Sequence, residues 1–163
     1  METSENIICS LLCKLHIKYE LIHHPAVFTV EEAESLDILH NGYGCKNWFL
    51  KTRNNKSYYL LIMAKDKRAD LKEIKKQINS SSLTFASEDE LFNILGLMKG
   101  SVTPLGLIND KNHCVTLLID DDITSKEKIG IHANTNTSTI WLSFENLIEI
   151  INHLGNPTKI INI

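Results

Sequence analysis

The 163-residue chain has no apolar run near the ~20 residues that span a bilayer; its longest, such as Tyr58 to Ala64, fall far short. Seven glycines and three prolines are too few for a collagen-like or flexible low-complexity chain. The four cysteines, Cys9, Cys13, Cys45 and Cys114, form no CxxC pair and no regular framework, so reduced thiols are expected. Glu2 and Glu5 follow Met1 where a secretory signal would carry basic and then apolar residues, which points to a cytoplasmic protein. Positive charge is not in excess either: 17 Lys+Arg stand against 20 Asp+Glu, a net charge of −3. A protein that coats long nucleic acid is usually basic. A small contact with one nucleic-acid end stays open, through the modest patch Lys65, Lys67, Arg68, Lys72, Lys75 and Lys76. There is no GxSxG elbow, HExxH pair, Walker loop or GxGxxG turn.

What is present suits one globular domain over residues 1–163, with 43% apolar and 23% charged residues. A chain of this length buries roughly 68–70% of its unfolded surface and needs no disulfide or metal to fold. Ile7, Ile8, Leu11, Leu12 and Leu15 make one helical stripe starting near Thr3 or Ser4. A strand over Lys18 to His23 stops at Pro25. Three capping-box patterns, at Thr29, Asp70 and Ser87, open helices, the first running to about Leu39 and the third ending at Gly96. Asn41 to Gly44 reads as a turn, Cys45 to Lys51 and Ser57 to Met63 as a hairpin, and Leu83 to Ala86 as a short strand. A second hairpin is expected from Leu105 to Ile108 with His113 to Ile119. Thr139 to Leu142 reads as a strand, Phe144 to His153 as a helix capped by Ser143 and closed by Gly155, and Lys159 to Ile163 as a last strand. Helices mixed with hairpins predict an α+β fold: one mixed, mostly antiparallel twisted sheet flanked by helices, not a parallel doubly wound one.

Two apparent ligand pairs are better explained without metal. Cys9 and Cys13 adjoin the apolar stripe of the first helix and read as packing residues. His23 and His24 are strand neighbours that point to opposite faces, so one ion does not hold both. Three other segments carry an open choice. Lys46, in Cys45-Lys46-Asn47-Trp48-Phe49-Leu50, is either an edge residue snorkelling to water or a cation held for an anion. Gly100-Ser101-Val102-Thr103-Pro104 is either an ordinary turn or a loop aiming main-chain N–H groups at an oxyanion. His132 to Asn136 is either a plain polar loop or a set of hydrogen-bonding groups for a small polar substrate.

In this order, these segments resemble the YbaK/prolyl-tRNA synthetase-associated editing-domain family, closest to its PrdX/ProXp-ala branch of alanyl-tRNA(Pro) deacylases. The likeness runs from His24-Pro25-Ala26-Val27-Phe28-Thr29 through Lys46-Asn47-Trp48-Phe49-Leu50 and Phe85 to Leu91. Its most specific part is Leu95-Gly96 with Gly100 to Ile108, and it closes at His132 to Asn136. Trp48 stands where the family usually has Leu, and Ala133 where it usually has Pro, which implies a less rigid His132 loop.

The resemblance implies hydrolysis of mischarged Ala-tRNA(Pro) in trans, sparing Pro-tRNA(Pro), with the tRNA acceptor end and prolyl-tRNA synthetase as partners and no membrane. It implies no metal and no organic cofactor. It makes Lys46 the catalytic residue, fixing the terminal phosphate or ribose and supplying positive charge. Asn47 would hydrogen-bond beside it, main-chain groups of Gly100, Ser101 and Val102 would hold the aminoacyl group and the forming oxyanion, and Pro104 would also be substrate-binding. His132 would line the amino-acid pocket, and Asn136 would also be substrate-binding. Water or the terminal ribose hydroxyl would take part directly, since no nucleophilic triad is present. A deacylase for a cysteinyl or seryl ester, and a non-catalytic synthetase- or tRNA-binding module, are the rival readings.

Overall fold

Residues 1–36 and 42–163 are described by the computed structural model. Local caps set its helices. Helix α1 (Ser4–Lys14) starts at Thr3, whose hydroxyl accepts from the Asn6 N–H. Strand β1 (Glu20–His23) leads to α2 (Val30–Ser35), capped by the Thr29 hydroxyl. Residues 37–41, where the end of this helix and the start of the Asn41 turn were expected, lie outside the described residues. Strands β2 (Tyr43–Thr52) and β3 (Tyr58–Ala64) form the expected hairpin, except that Tyr43 and Gly44 already belong to the strand. Next come α3 (Leu71–Ile78), β4 (Leu83–Phe85), α4 (Glu88–Leu95) and β5 (Val115–Asp120). The chain closes with β6 (Ile129–His132), β7 (Ser138–Leu142), α5 (Phe144–Leu154) and β8 (Thr158–Ile161). Of the three capping boxes expected, only that at Ser87 is reciprocal. At the other two starts the later carboxylate goes elsewhere: Glu32 accepts from the Phe28 N–H and Glu73 pairs with Lys76.

The strands run in the order β1-β7-β6-β2-β3-β5-β8, with β4 also on β2. Four pairings are antiparallel and three are parallel, so the sheet is mixed and mostly antiparallel as expected. Period-two alternation then sorts the core into two. On β3, Leu60 and Ile62 face the larger core with α1, α4 and α5, while Leu61 and Met63 face a smaller one under α3.

The second expected hairpin does not form. Leu105 to Ile108 lies in a 3-10 helix, Pro104–Asn109, and β5 pairs in parallel with β3 and β8. Pro104 fixes the first turn without needing a donor, and the Thr103 hydroxyl caps it by accepting from the Leu105 N–H. The helix buries Leu105 and Leu107 in the larger core, so their apolar character served packing rather than pairing. Cys13, read as a packing residue, is exposed on α1, and all four thiols are free.

Glu90 ties three elements together. Its carboxylate accepts from Lys51 Nζ at 2.8 Å, the Tyr58 hydroxyl at 3.0 Å and the Ser87 N–H at 2.7 Å. Led by Lys51, these donors hold its carboxyl at about 2, against an ordinary 4.5. A carboxyl lowered by folding stabilises the fold above the unfolded value, and this contribution fades as pH falls from about 4.5 to about 2. Glu90→Gln is therefore expected to cost about 1–2 kcal/mol at pH 6 and to flatten the acid limb of stability. Urea unfolding at pH 6 and pH 3 reads this, and an unchanged acid limb would disprove the role.

Candidate active site

β2 changes partners along its length. Tyr43 and Gly44 pair with β6, and Leu50 to Thr52 pair with β4. Between these ladders the strand has β3 on one side only, so Lys46 and its neighbours lie on a local edge inside a wide sheet. A cavity of about 350 Å³ opens there. Its walls are the Val27–Val30 segment with Glu31 and Ala33 of α2, Gly44 to Trp48 of β2, Lys65 just after β3, Gly100 and Val102, Gly130 to His132 of β6, and Thr139 of β7.

Of the residues singled out in the sequence, Lys46, Asn47, Gly100, Val102 and His132 converge on this cavity. Ser101 and Asn136 line a second recess with Met98, Lys99 and Asn134, and Phe28 is common to both. Pro104 is buried below both as the first residue of the 3-10 helix. Ser101 is committed to its own turn: its hydroxyl donates to the Met98 carbonyl at 2.7 Å, and its N–H donates to the same oxygen. Of the three main-chain N–H groups expected to face substrate, those of Gly100 and Val102 have no acceptor among the described residues, and that of Ser101 is spent.

The loop is fastened on both sides. The Thr103 hydroxyl donates to the His132 carbonyl at 2.8 Å, joining the loop to the end of β6. Gly100 has φ +86, in the region that favours glycine, and a Cβ there would lie 2.6 Å from Phe28 Cδ1. Phe28 itself is exposed and lies between the two recesses.

The polar groups of the cavity are unevenly satisfied. Lys46 has no carboxylate within ion-pair distance among the described residues, whereas Lys65 pairs with Glu34 at 2.7 Å. That hydrogen bond to Glu34 raises the Lys65 ammonium above its ordinary value. Asn47 Oδ1 and His132 Nδ1 are buried without a partner among the described residues. Burial pushes the His132 imidazole below the ordinary histidine value, partly offset by the Ser138 main chain, so an uncharged ring is favoured. Cys45 also lines the cavity, but burial pushes its thiol up to about 12, and a neutral thiol is a poor nucleophile. Trp48 turns its ring against Phe85, with centroids 5.0 Å apart in an edge arrangement, and forms one end of the wall.

Sequence reasoning missed Lys65, Thr139 and Phe28 as members of the site. Lys65 was read only as part of a basic patch. Within that patch Lys65, Lys67 and Lys76 are tied to acidic neighbours.

The family described as aminoacyl-tRNA editing domain matches residues 24–150. Prolyl-tRNA editing protein ProX of Acetoanaerobium sticklandii is 37% identical over 163 residues, covering 100% of this chain and 99% of that protein. Prolyl-tRNA synthetase associated domain-containing protein 1 of Bos taurus is 34% identical, covering 93% of this chain and 90% of the relative. A crystal structure described as a candidate trans-editing enzyme for prolyl tRNA synthetase has the same fold, with a TM-score of 0.76 at 17% identity over 99% of this chain and 97% of that one. The protein is thus of the aminoacyl-tRNA deacylase class, an enzyme that hydrolyses an amino acid from tRNA. The chain belongs to the aminoacyl-tRNA editing domain family, as its motifs implied. Among the described residues no helix is long and apolar enough to cross a membrane.

Proposed function

We propose that the protein removes alanine from mischarged tRNA(Pro) in trans, in the cytoplasm, and spares the prolyl ester, with the whole chain acting as one editing unit. The observation that carries this reading is that Lys46, without an ion-pair partner among the described residues, lines one cavity of about 350 Å³ with Gly100 and Val102, whose N–H groups have no acceptor among those residues. The acceptor end of the tRNA enters with its last phosphate or ribose on Lys46, and Asn47 hydrogen-bonds beside it. The ester carbonyl points to the Gly100 and Val102 N–H groups. Water, held by the ribose hydroxyl, adds to that carbonyl carbon. The tetrahedral oxyanion is stabilised by donors fixed in advance, so no reorganisation is required as its charge develops. The carbon–oxygen bond to the ribose then breaks, and the ribose oxygen leaves with a proton derived from the water. Alanine and free tRNA are the products.

A synthetase pocket built for proline rejects a smaller residue poorly, because a missing methylene is worth only ~1–3 kcal/mol. A second cavity that excludes the larger residue corrects this. Here the wall is closed by the Gly100 loop with Phe28 against it, and by His132 opposite. This reading requires the amino-acid end of the cavity to admit a methyl group and to exclude a pyrrolidine ring, and overpacking costs ~1–3 kcal/mol before any misplacement of the ester. The expected preference for the alanyl over the prolyl ester is therefore at least about tenfold. Single-turnover deacylation of alanyl-, seryl-, cysteinyl- and prolyl-tRNA(Pro) under one set of conditions tests it. Fastest cleavage of the cysteinyl or seryl ester would reassign the substrate, and equal cleavage of the prolyl ester would remove the size argument.

A further inference from the structure

Thr139 lies on β7 directly across from His132 in the antiparallel ladder, and both line the cavity. Its hydroxyl is 2.9 Å from His24 Nε2. The other ring nitrogen of His24, Nδ1, is 2.8 Å from the Pro25 carbonyl oxygen. A carbonyl oxygen only accepts, so Nδ1 carries a proton. In the uncharged ring Nε2 is then an acceptor, and the Thr139 hydroxyl donates to it. A hydroxyl has one proton and two acceptor lone pairs. While that ring is uncharged the hydroxyl proton is committed to His24, and Thr139 Oγ1 can only accept from anything that enters the cavity.

This polarity stands out against the rest of the lining. Lys46, Lys65 and the Gly100 and Val102 N–H groups are all donors. They suit a phosphate, a ribose oxygen and an ester carbonyl. They do not suit the α-amino group of an aminoacyl ester, which as an ammonium carries three donors and no acceptor. Other side-chain acceptors in the lining are Asn47 Oδ1, assigned above to the ribose end, His132 Nδ1 when that uncharged ring carries its proton on Nε2, and Glu31, exposed on α2. Thr139 is instead buried at the His132 end, where the amino-acid side of the substrate is placed.

We propose that Thr139, oriented by His24, is the acceptor that recognises the α-amino group of the aminoacyl ester. This rests on the editing reading above and adds the substrate feature that is sensed. Thr139 contacts the substrate, and His24 is a positioning residue that acts through it by deciding where the hydroxyl proton goes. The device makes the enzyme select α-amino esters over esters of simple carboxylic acids.

The test compares alanyl-tRNA(Pro) with propionyl-tRNA(Pro), the same ester without the amine, in single-turnover assays of wild type, Thr139→Val, Thr139→Ser, His24→Ala and Glu31→Gln. Wild type is expected to favour the alanyl ester. The alanyl-to-propionyl rate ratio should fall about 10–100-fold in Thr139→Val, return toward wild type in Thr139→Ser, and fall in the same sense in His24→Ala. A structural role would instead slow both esters alike and leave the ratio fixed, which would overturn the proposal. A ratio that follows Glu31→Gln rather than Thr139→Val would overturn it too. His24 lies on a different segment, so its variant keeps the test decisive if Thr139→Val does not fold. If wild type prefers the seryl or cysteinyl ester, the alanine assignment falls, while the role of Thr139 is read on that ester and its deaminated analogue. If wild type cleaves no aminoacyl ester, both fall.

Discussion

Lys46→Ala is expected to lower kcat/KM for alanyl-tRNA(Pro) by about 10²–10³-fold, the range seen when one fixed charge-stabilising donor is removed. Its ammonium has no ion-pair partner among the described residues, so no ion pair there is lost with it. It projects from the stretch of β2 flanked on one side only, and truncation opens no sealed cavity there. Stability should stay within about 0.5 kcal/mol of wild type, as for other substitutions outside the core. Single-turnover rates and urea unfolding on the same preparations separate the two effects. Near wild-type turnover by a folded variant would exclude Lys46 as the catalytic residue. A large loss of stability would instead show that the charge is structural.

The second large effect is expected at Gly100. With φ +86, alanine there would carry a left-handed penalty of roughly 1–2 kcal/mol, and its Cβ would lie 2.6 Å from the Phe28 ring. Either Phe28 swings outward or the loop turns. The second outcome re-aims the two free N–H groups, and a misplacement near 1 Å can cost about 10²-fold in rate. Gly100→Ala is accordingly expected to lose about 10–100-fold in kcat/KM. Placing the same substitution in a Phe28→Ala background removes the contact but not the backbone strain. If Gly100→Ala is as active and as stable as wild type in both backgrounds, the loop does not present its N–H groups as described.

Much of the fold is written locally. Thr3, Ser87 and Ser143 start helices and Gly155 ends one, because caps act within a few residues. The run Ser57 to Met63 reads as a strand and forms one, and the structure shows it buried on both faces. Long-range pairing was not legible in the same way. The Leu105 segment and β5 are both apolar, and nothing within either says that one coils into a 3-10 helix while the other pairs in parallel. The same divide runs through the site. Lys46, Asn47, Gly100, Val102 and His132 stood out because unusual residue types sat in motifs, and the cavity gathers them. Ser101 and Pro104 belong to the same motif but build the loop that presents its neighbours. Thr139 looked like an ordinary strand residue, since only tertiary structure brings it to His24.

The alternative readings of Lys46, edge residue or functional cation, are joined by the partner change in β2. A strand that is interior in the sheet order has an edge for a few residues. That arrangement ties chemical competence to folding fidelity. Lys46 lies on the face of Trp48 and Leu50, and Phe49 lies on the opposite face in the larger core. Sliding β2 by one residue would exchange these faces. It would drive the Lys46 ammonium toward the core that Phe49 now fills, an arrangement the fold cannot sustain without a large desolvation cost. The register that packs Phe49 is thus the same register that keeps the Lys46 charge out of the core, so one strand pairing sets both the packing and the position of the charge.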